Sequence, residues 1–201
     1  MDKRVKILKD VVRHPSDAFR KIGENGRKYL PGALTIFVFT FLFSYFLFPI
    51  LFLFRGILMG GFTILLYIVL IYLIGKVLGG EAEFAGLVSA MGYAYIPSVF
   101  MSFLFRIGLR INIETIREVF ALQDLPREQI AERAIPLLKD LITPFNVFLA
   151  IAALLLGIWG LILTVLACRE THRFETGKAI GTIILTMFAA GAVTSLLGFL
   201  T

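Results

Sequence analysis

Between Gly32 and Phe54 the chain runs for 23 residues without a charged side chain. A helix needs about 20 such residues to cross the hydrocarbon core of a bilayer, so this stretch reads as a membrane span. Gly56 to Leu78 follows after Arg55 alone, with Lys76 close enough to its end to reach water along its own stem. Pro144 to Cys168 and Lys178 to Leu200 are two further apolar runs. Phe84 to Phe105 also lacks charge but carries Ser89, Tyr93, Tyr95, Pro97, Ser98 and Ser102. Pro97 removes one helical hydrogen bond and predicts a kink, which a membrane tolerates where neighbours satisfy the freed carbonyl. The expectation is an all-α polytopic transmembrane bundle of five spans, about 32–54, 56–78, 84–105, 144–168 and 178–200.

Composition agrees. The chain is 58% hydrophobic and 17% charged, against roughly 45–50% and 25% for soluble domains. A soluble fold of this make-up would expose apolar patches that monomers rarely tolerate. The net charge of +6 does not point to nucleic acid, because nine of the twenty basic residues fall in the first 31 positions, outside the apolar runs, and no nucleic-acid module is present. An N-inside arrangement puts thirteen basic residues inside and seven outside, which favours a cytoplasmic N-terminus and an outer C-terminus. Cys168, the single cysteine, excludes an intrachain disulfide and any multi-cysteine metal site. No short apolar segment with a cleavage site opens the chain, so the first span is expected to be retained.

Residues 1–31 read as a basic amphipathic arm ahead of the membrane domain 32–201. Val5, Leu8 and Val12 share one face at helical spacing, and Phe19 and Ile22 continue it past a Pro15–Ser16 start signal. Two placements satisfy this pattern: a helix lying on the inner membrane surface, or one packed against the inner ends of the spans. Lys3, Arg4, Lys6, Lys9 and Arg13 on the arm, with Arg169, Arg173 and Lys178 in the last inner loop, are candidates to hold lipid headgroups or a protein partner. The outer segment 106–143 is too long for a structureless connection. Its N-cap candidates and spaced apolar residues predict short amphipathic helices between spans three and four.

No span carries Asp, Glu or His in its middle, where proton-coupled and voltage-sensing proteins place them. Hydrolase and nucleotide-binding motifs are lacking as well, so neither catalysis nor a cofactor is expected. A metal site is not expected either. His14, Glu83, Glu170 and His172 are its only candidate ligands, and acids at a helix N-terminus with headgroup-anchoring arginines account for them. Small residues recur four apart, as in Gly75 and Gly79, Gly86 and Ala90, and Gly191 and Ser195. Such pairs allow helices to approach closely, within the chain's own bundle or in a homo-oligomer. A rival reading is a small transporter, channel or lipid-handling protein, with Tyr93, Tyr95, Ser98 and Ser102 lining a polar path through the kinked third span.

Two stretches, taken in order, resemble the Yip domain family of five-span membrane proteins named for interaction with Ypt/Rab GTPases. Leu78-Gly-Gly-Glu-Ala-Glu-Phe84, continuing to Met91-Gly-Tyr-Ala-Tyr-Ile-Pro97, is similar to that family's double glycine and following helix; Gly79, Gly80, Gly92, Tyr93, Ala94 and Pro97 carry the likeness. Ile158-Trp-Gly-Leu-Ile-Leu163, Arg169-Glu-Thr-His-Arg-Phe174 and Lys178-Ala179 resemble its Trp-containing span, its short loop with a histidine and the Lys-Ala that opens its last helix, through Trp159, His172 and Lys178. His14-Pro-Ser-Asp-Ala-Phe19 looks like the entry of prokaryotic members. The short arm and the end at the last span also look like bacterial or archaeal members, to which Rab binding does not apply, and this likeness implies the plasma membrane of a prokaryote. The resemblance implies a non-enzymatic protein of membrane organisation or trafficking type that acts by binding a lipid surface, a membrane protein or a cytosolic partner.

Overall fold

A computed structural model describes residues 3–45, 50–111, 136, 139 and 142–199. Its elements are helices: α1 Lys3–Arg13, α2 Pro15–Glu24, α3 Gly26–Tyr45, α4 Ile50–Val77, α5 Phe84–Ala94, α6 Ile96–Ile111, α7 Pro144–His172 and α8 Thr176–Phe199. No strand occurs among the described residues. Side chains of residues 3–5, 43–45, 50–59, 106, 109–111 and 196–199 lie outside the description, as does most of the anticipated helical segment 106–143.

Four stretches among the described residues are long and apolar enough to cross a membrane: Gly60–Val77, Phe84–Phe105, Pro144–His172 and Thr176–Ser195. The third anticipated span is broken at Tyr95, between α5 and α6. Pro97 has no N–H to give the preceding turn, and the Tyr95 carbonyl takes the Ser98 N–H at 2.9 Å instead. One expectation shifts. Arg55 lies within α4 rather than between two spans, because a single charge leaves the helical hydrogen-bond ladder intact. The residue in that stretch with a helix-start preference is Pro49, immediately before Ile50 in the sequence.

Close contacts set the directions of the helices. Gly26 meets Gly86, Gly32 meets Tyr93 and Ala33 meets Gly92, so α3 and α5 run parallel. Gly108 meets Leu149, Gly157 meets Met101 and Gly160 meets Pro97, so α6 and α7 run antiparallel. A side chain at Gly26 would collide with the α5 backbone at Gly86, and the Ser89 hydroxyl donates to the Gly26 carbonyl at 2.7 Å. This is the close approach that small residues permit in lipid. The Gly86, Ala90, Ala94 series is thus spent inside the chain's own bundle, where all three are buried.

The arm folds onto the bundle. Ile7, Val11, Ala18, Phe19 and Ile22 are buried, with α1 against α2 and α5, and α2 against α5 and α7. Of the two placements that the amphipathic pattern allowed, this is the packed one, but on another face of α1 than expected. Leu8 and Val12 are exposed, and Ile7 and Val11, one position earlier, turn inward because α2 and α5 lie on that side. Pro15 starts α2 at its first turn, where its missing N–H costs nothing. Further along, Phe148, Leu154 and Leu155 of α7 and Phe188 of α8 are all more than 60% exposed, an apolar surface suited to lipid and not to water.

Candidate binding face at the arm end of the bundle

α4 and α7 end side by side, and both ends close in the same way. Gly79 takes a left-handed conformation, φ 86°, and the Gly80 N–H reaches back to the Gly75 carbonyl at 2.8 Å. Arg173 takes the same conformation, φ 57°, and the Phe174 N–H reaches back to the Arg169 carbonyl at 2.9 Å. Each is a Schellman-type stop, which satisfies carbonyls that a helix end leaves open. The two stops are joined by the Glu81 N–H donating to the His172 carbonyl at 3.2 Å.

The His172 imidazole fills the notch between them. It is 1% exposed and stacks on Phe174 with ring centroids 5.1 Å apart. A Cβ on either Gly75 or Gly80 would fall inside the ring. The double glycine therefore has two separate reasons: Gly79 supplies the positive φ, and Gly80 makes room for a side chain from another helix. Neither ring nitrogen has a hydrogen-bond partner among the described residues.

Arg169 ties the arm to this junction. Its guanidinium donates to the Ser16 hydroxyl of α2 at 2.8 Å, to Glu170 at 3.0 Å through Nε, and to Thr176 at the head of α8 at 3.4 Å. Arg173 pairs with Glu81 at 2.9 Å, both side chains well exposed. Gly23 packs on Thr171, with 3.7 Å between an added Cβ and that of the threonine. Between α2, the 79–83 turn and the end of α7 lies a cleft of about 680 Å³, with Arg20, Glu24, Glu81, Glu83, Arg169 and Glu170 among its walls and Gly23 and Thr171 beside them.

The anticipated binding residues separate into groups. Lys6, Lys9 and Arg13 are exposed on α1, and Lys178 is exposed on α8 near the Phe174 ring; Lys3 and Arg4 lie in the first turn of α1, their side chains outside the description. Arg169 is largely engaged in holding helices together. Gly92 and Tyr93 form the α3–α5 contact: Tyr93 is 2% exposed, and its hydroxyl lies where a side chain on Gly32 would sit. Pro97 is fully buried, and Trp159 packs half-buried on the core. His14 is exposed at the head of α2 while His172 is buried, and no group of three His, Cys, Asp or Glu among the described residues is arranged to hold a metal ion.

A second cavity, about 310 Å³, opens at the Tyr95 break and is lined by Tyr67, Tyr95, Ser98, Gly160, Thr164 and Met187, among others. Of the four hydroxyl residues expected to line a path, Tyr95 and Ser98 line this cavity. Tyr93 and Ser102 are not among the lining residues; Tyr93 is taken up by α3, and the Ser102 hydroxyl bonds the Ser98 carbonyl. Arg20 and Glu24 escaped the sequence reading; Ser16 entered it only as part of a helix start, and Gly86 only as a small residue paired with Ala90, since neither the Arg169 contact nor the Gly26 contact shows in local sequence.

An all-helical architecture with several lipid-length apolar helices and a folded arm across one end defines a multi-pass membrane protein. The chain belongs to the Yip1 domain family, whose model matches residues 9–197, nearly the whole chain. No curated protein and no solved structure matches it significantly.

Proposed function

We propose that this chain is a five-span, non-catalytic membrane scaffold that recruits a protein partner at its arm-side face, in a role of membrane organisation or traffic type. One observation carries the reading. Three segments far apart in sequence, the arm, the 79–83 turn and the α7–α8 junction, converge into a single charged face around a cleft. A face that is held rigid can present a fixed pattern of charge to a partner. The family supports a membrane-associated binding role.

α3 supplies the fifth crossing, since it runs parallel to α5 and continues the apolar run that begins at Gly32. The arm then lies on the cytoplasmic side of a prokaryotic plasma membrane and the C-terminus on the other, following the basic-residue bias. Gly181 and Gly191 on α8 have open space beside them, which leaves room for a second copy. Crosslinking in native membranes followed by mass spectrometry tests the proposal: a reproducible protein partner attached through residues 6–24 or 169–178 upholds it, and only self-crosslinks would refute it.

The cavity at the Tyr95 break supports a second reading, passage or holding of a neutral solute or lipid. Flux into liposomes that depends on the protein and falls in a Tyr95→Phe/Ser98→Ala variant would favour it. Absence of protein-dependent flux sinks it.

A further inference from the structure

We propose that the cavity at the Tyr95 break holds the carbonyl end of a neutral, lipid-soluble molecule that enters from the hydrocarbon. The inference rests on the second reading above and gives its cavity a ligand chemistry.

Position is the first argument. Tyr67, Ala94, Gly160 and Met187 draw the walls from each of the four stretches long and apolar enough to cross a membrane. α5 packs on α4, but beyond the break α6 packs on α3 and α7, while α8 packs on α4 and α7. Among the described residues α6 has no such packing on α4 or α8, so the turn at Tyr95 opens a slot between them. Leu161 and Met187 line the slot and are more than half exposed, which puts its mouth on lipid and not on water. No lining residue is Asp, Glu, Lys, Arg or His, so a charged ligand would meet no counter-charge at this depth.

Chemistry is the second argument. Four hydroxyl side chains line the cavity, Tyr67, Tyr95, Ser98 and Thr164. The Thr164 hydroxyl donates to the Gly160 carbonyl at 2.8 Å, as a threonine inside a helix commonly does. Those of Tyr67, Tyr95 and Ser98 make no hydrogen bond among the described residues, and none of the three is closed off inside the protein. Hydrocarbon has no water to take up such donors, and leaving them unmet there is costly. Three donors on one slot call for acceptors. A carbonyl supplies two lone pairs and no proton of its own. An alcohol would add a fourth proton, and a phenol oxygen, its lone pair shared with the ring, accepts poorly. A plain hydrocarbon would leave all three donors unmet. The volume of about 310 Å³ is at the lower end of the range of about 300–1,000 Å³ of small-molecule sites, room for a polar end whose chain stays in the lipid. Two kinds of membrane molecule carry such an end: a lipid-soluble quinone and the ester of an acylglycerol.

The full-length chain is reconstituted in vesicles of a diether phosphatidylcholine, which has no carbonyl, with equal small amounts of decylubiquinone, trioleoylglycerol, oleyl alcohol and squalene. It is released in mild detergent, and the retained molecules are counted by native mass spectrometry. The quinone or the acylglycerol is expected to be enriched over squalene by roughly tenfold, the scale of one hydrogen bond. Whichever is enriched names the source, and enrichment of both assigns the site to the carbonyl itself. Tyr67→Phe/Tyr95→Phe/Ser98→Ala keeps both rings, removes the donors and is expected to return the ratio to that of the vesicle. Squalene or oleyl alcohol held as well as the carbonyl compounds overturns the proposal while a lipid-holding cavity stands. An enrichment that survives the triple variant overturns it too. Should that variant fail to fold, the ratio retained by the unaltered chain decides alone. No retained molecule also overturns the proposal; protein-dependent flux would then keep the reading of passage, and its absence removes both.

Discussion

The arm end of the bundle and the outer flank of α7 are built on opposite principles. At the arm end Phe19, Ile22, Leu87, Met91, Cys168 and His172 are fully buried, packed from the arm, α5 and α7. Along α7 toward its start, Phe148, Ile151, Leu154 and Leu155 face outward with more than half their surface open. The first region behaves as the core of a globular protein, where a shape change of one methyl group is felt. The second needs only to be apolar. Specific recognition is therefore expected where side-chain positions are determined, and tolerance where lipid is the only neighbour.

Substitutions sharpen or break this contrast. The largest effect is expected for Gly80→Val, which drives a branched side chain into the His172 ring and costs about 3 kcal/mol or more by overpacking and strain; unfolding in detergent with loss of monodisperse protein checks it. His172→Ala empties the notch between Gly75 and Gly80 and is expected to lower stability by roughly 2–4 kcal/mol, read as a lower melting temperature with the fold retained. Gly79→Ala forces a Cβ into a left-handed position, φ 86°, and is expected to cost about 1 kcal/mol. Leu154→Ala, on a residue 64% exposed, is expected to shift stability by less than about 0.5 kcal/mol. If Leu154→Ala proved as damaging as His172→Ala, the contrast between the two regions would not hold.

Four of the spans were legible because charge-free runs of bilayer length leave few alternatives, and the Pro97 break followed from the chemistry of proline. The boundary between the first two apolar runs was misplaced at Arg55 because charge interrupts hydropathy without interrupting a helix. The arm shows a deeper limit. On α1 both Leu8 with Val12 and Ile7 with Val11 recur at helical spacing, and periodicity chose the first pair, which is exposed, over the second, which is buried; Phe19 and Ile22 of α2 suit lipid and protein alike. Gly79 reads as a helix stop from its neighbours in sequence, whereas the need for glycine at position 80 depends on His172, which only the fold brings near. Arg169 is another such case. As a loop arginine it looked like a headgroup anchor, and its contacts with Ser16 and Thr176 emerge only when α2 lies across α7.

That crossing of α2 over α7 is the central claim, and a disulfide tests it most directly. In a Cys168→Ala background, Gly23→Cys and Thr171→Cys place two thiols on Cβ atoms 3.7 Å apart, near the mean disulfide separation of about 3.8 Å. Mild oxidation in native membranes is predicted to link the pair almost completely, while Leu8→Cys with Thr171→Cys, Leu8 being exposed on α1, stays reduced. An unlinked Gly23–Thr171 pair in properly inserted protein would contradict the account and place the arm on the membrane surface instead.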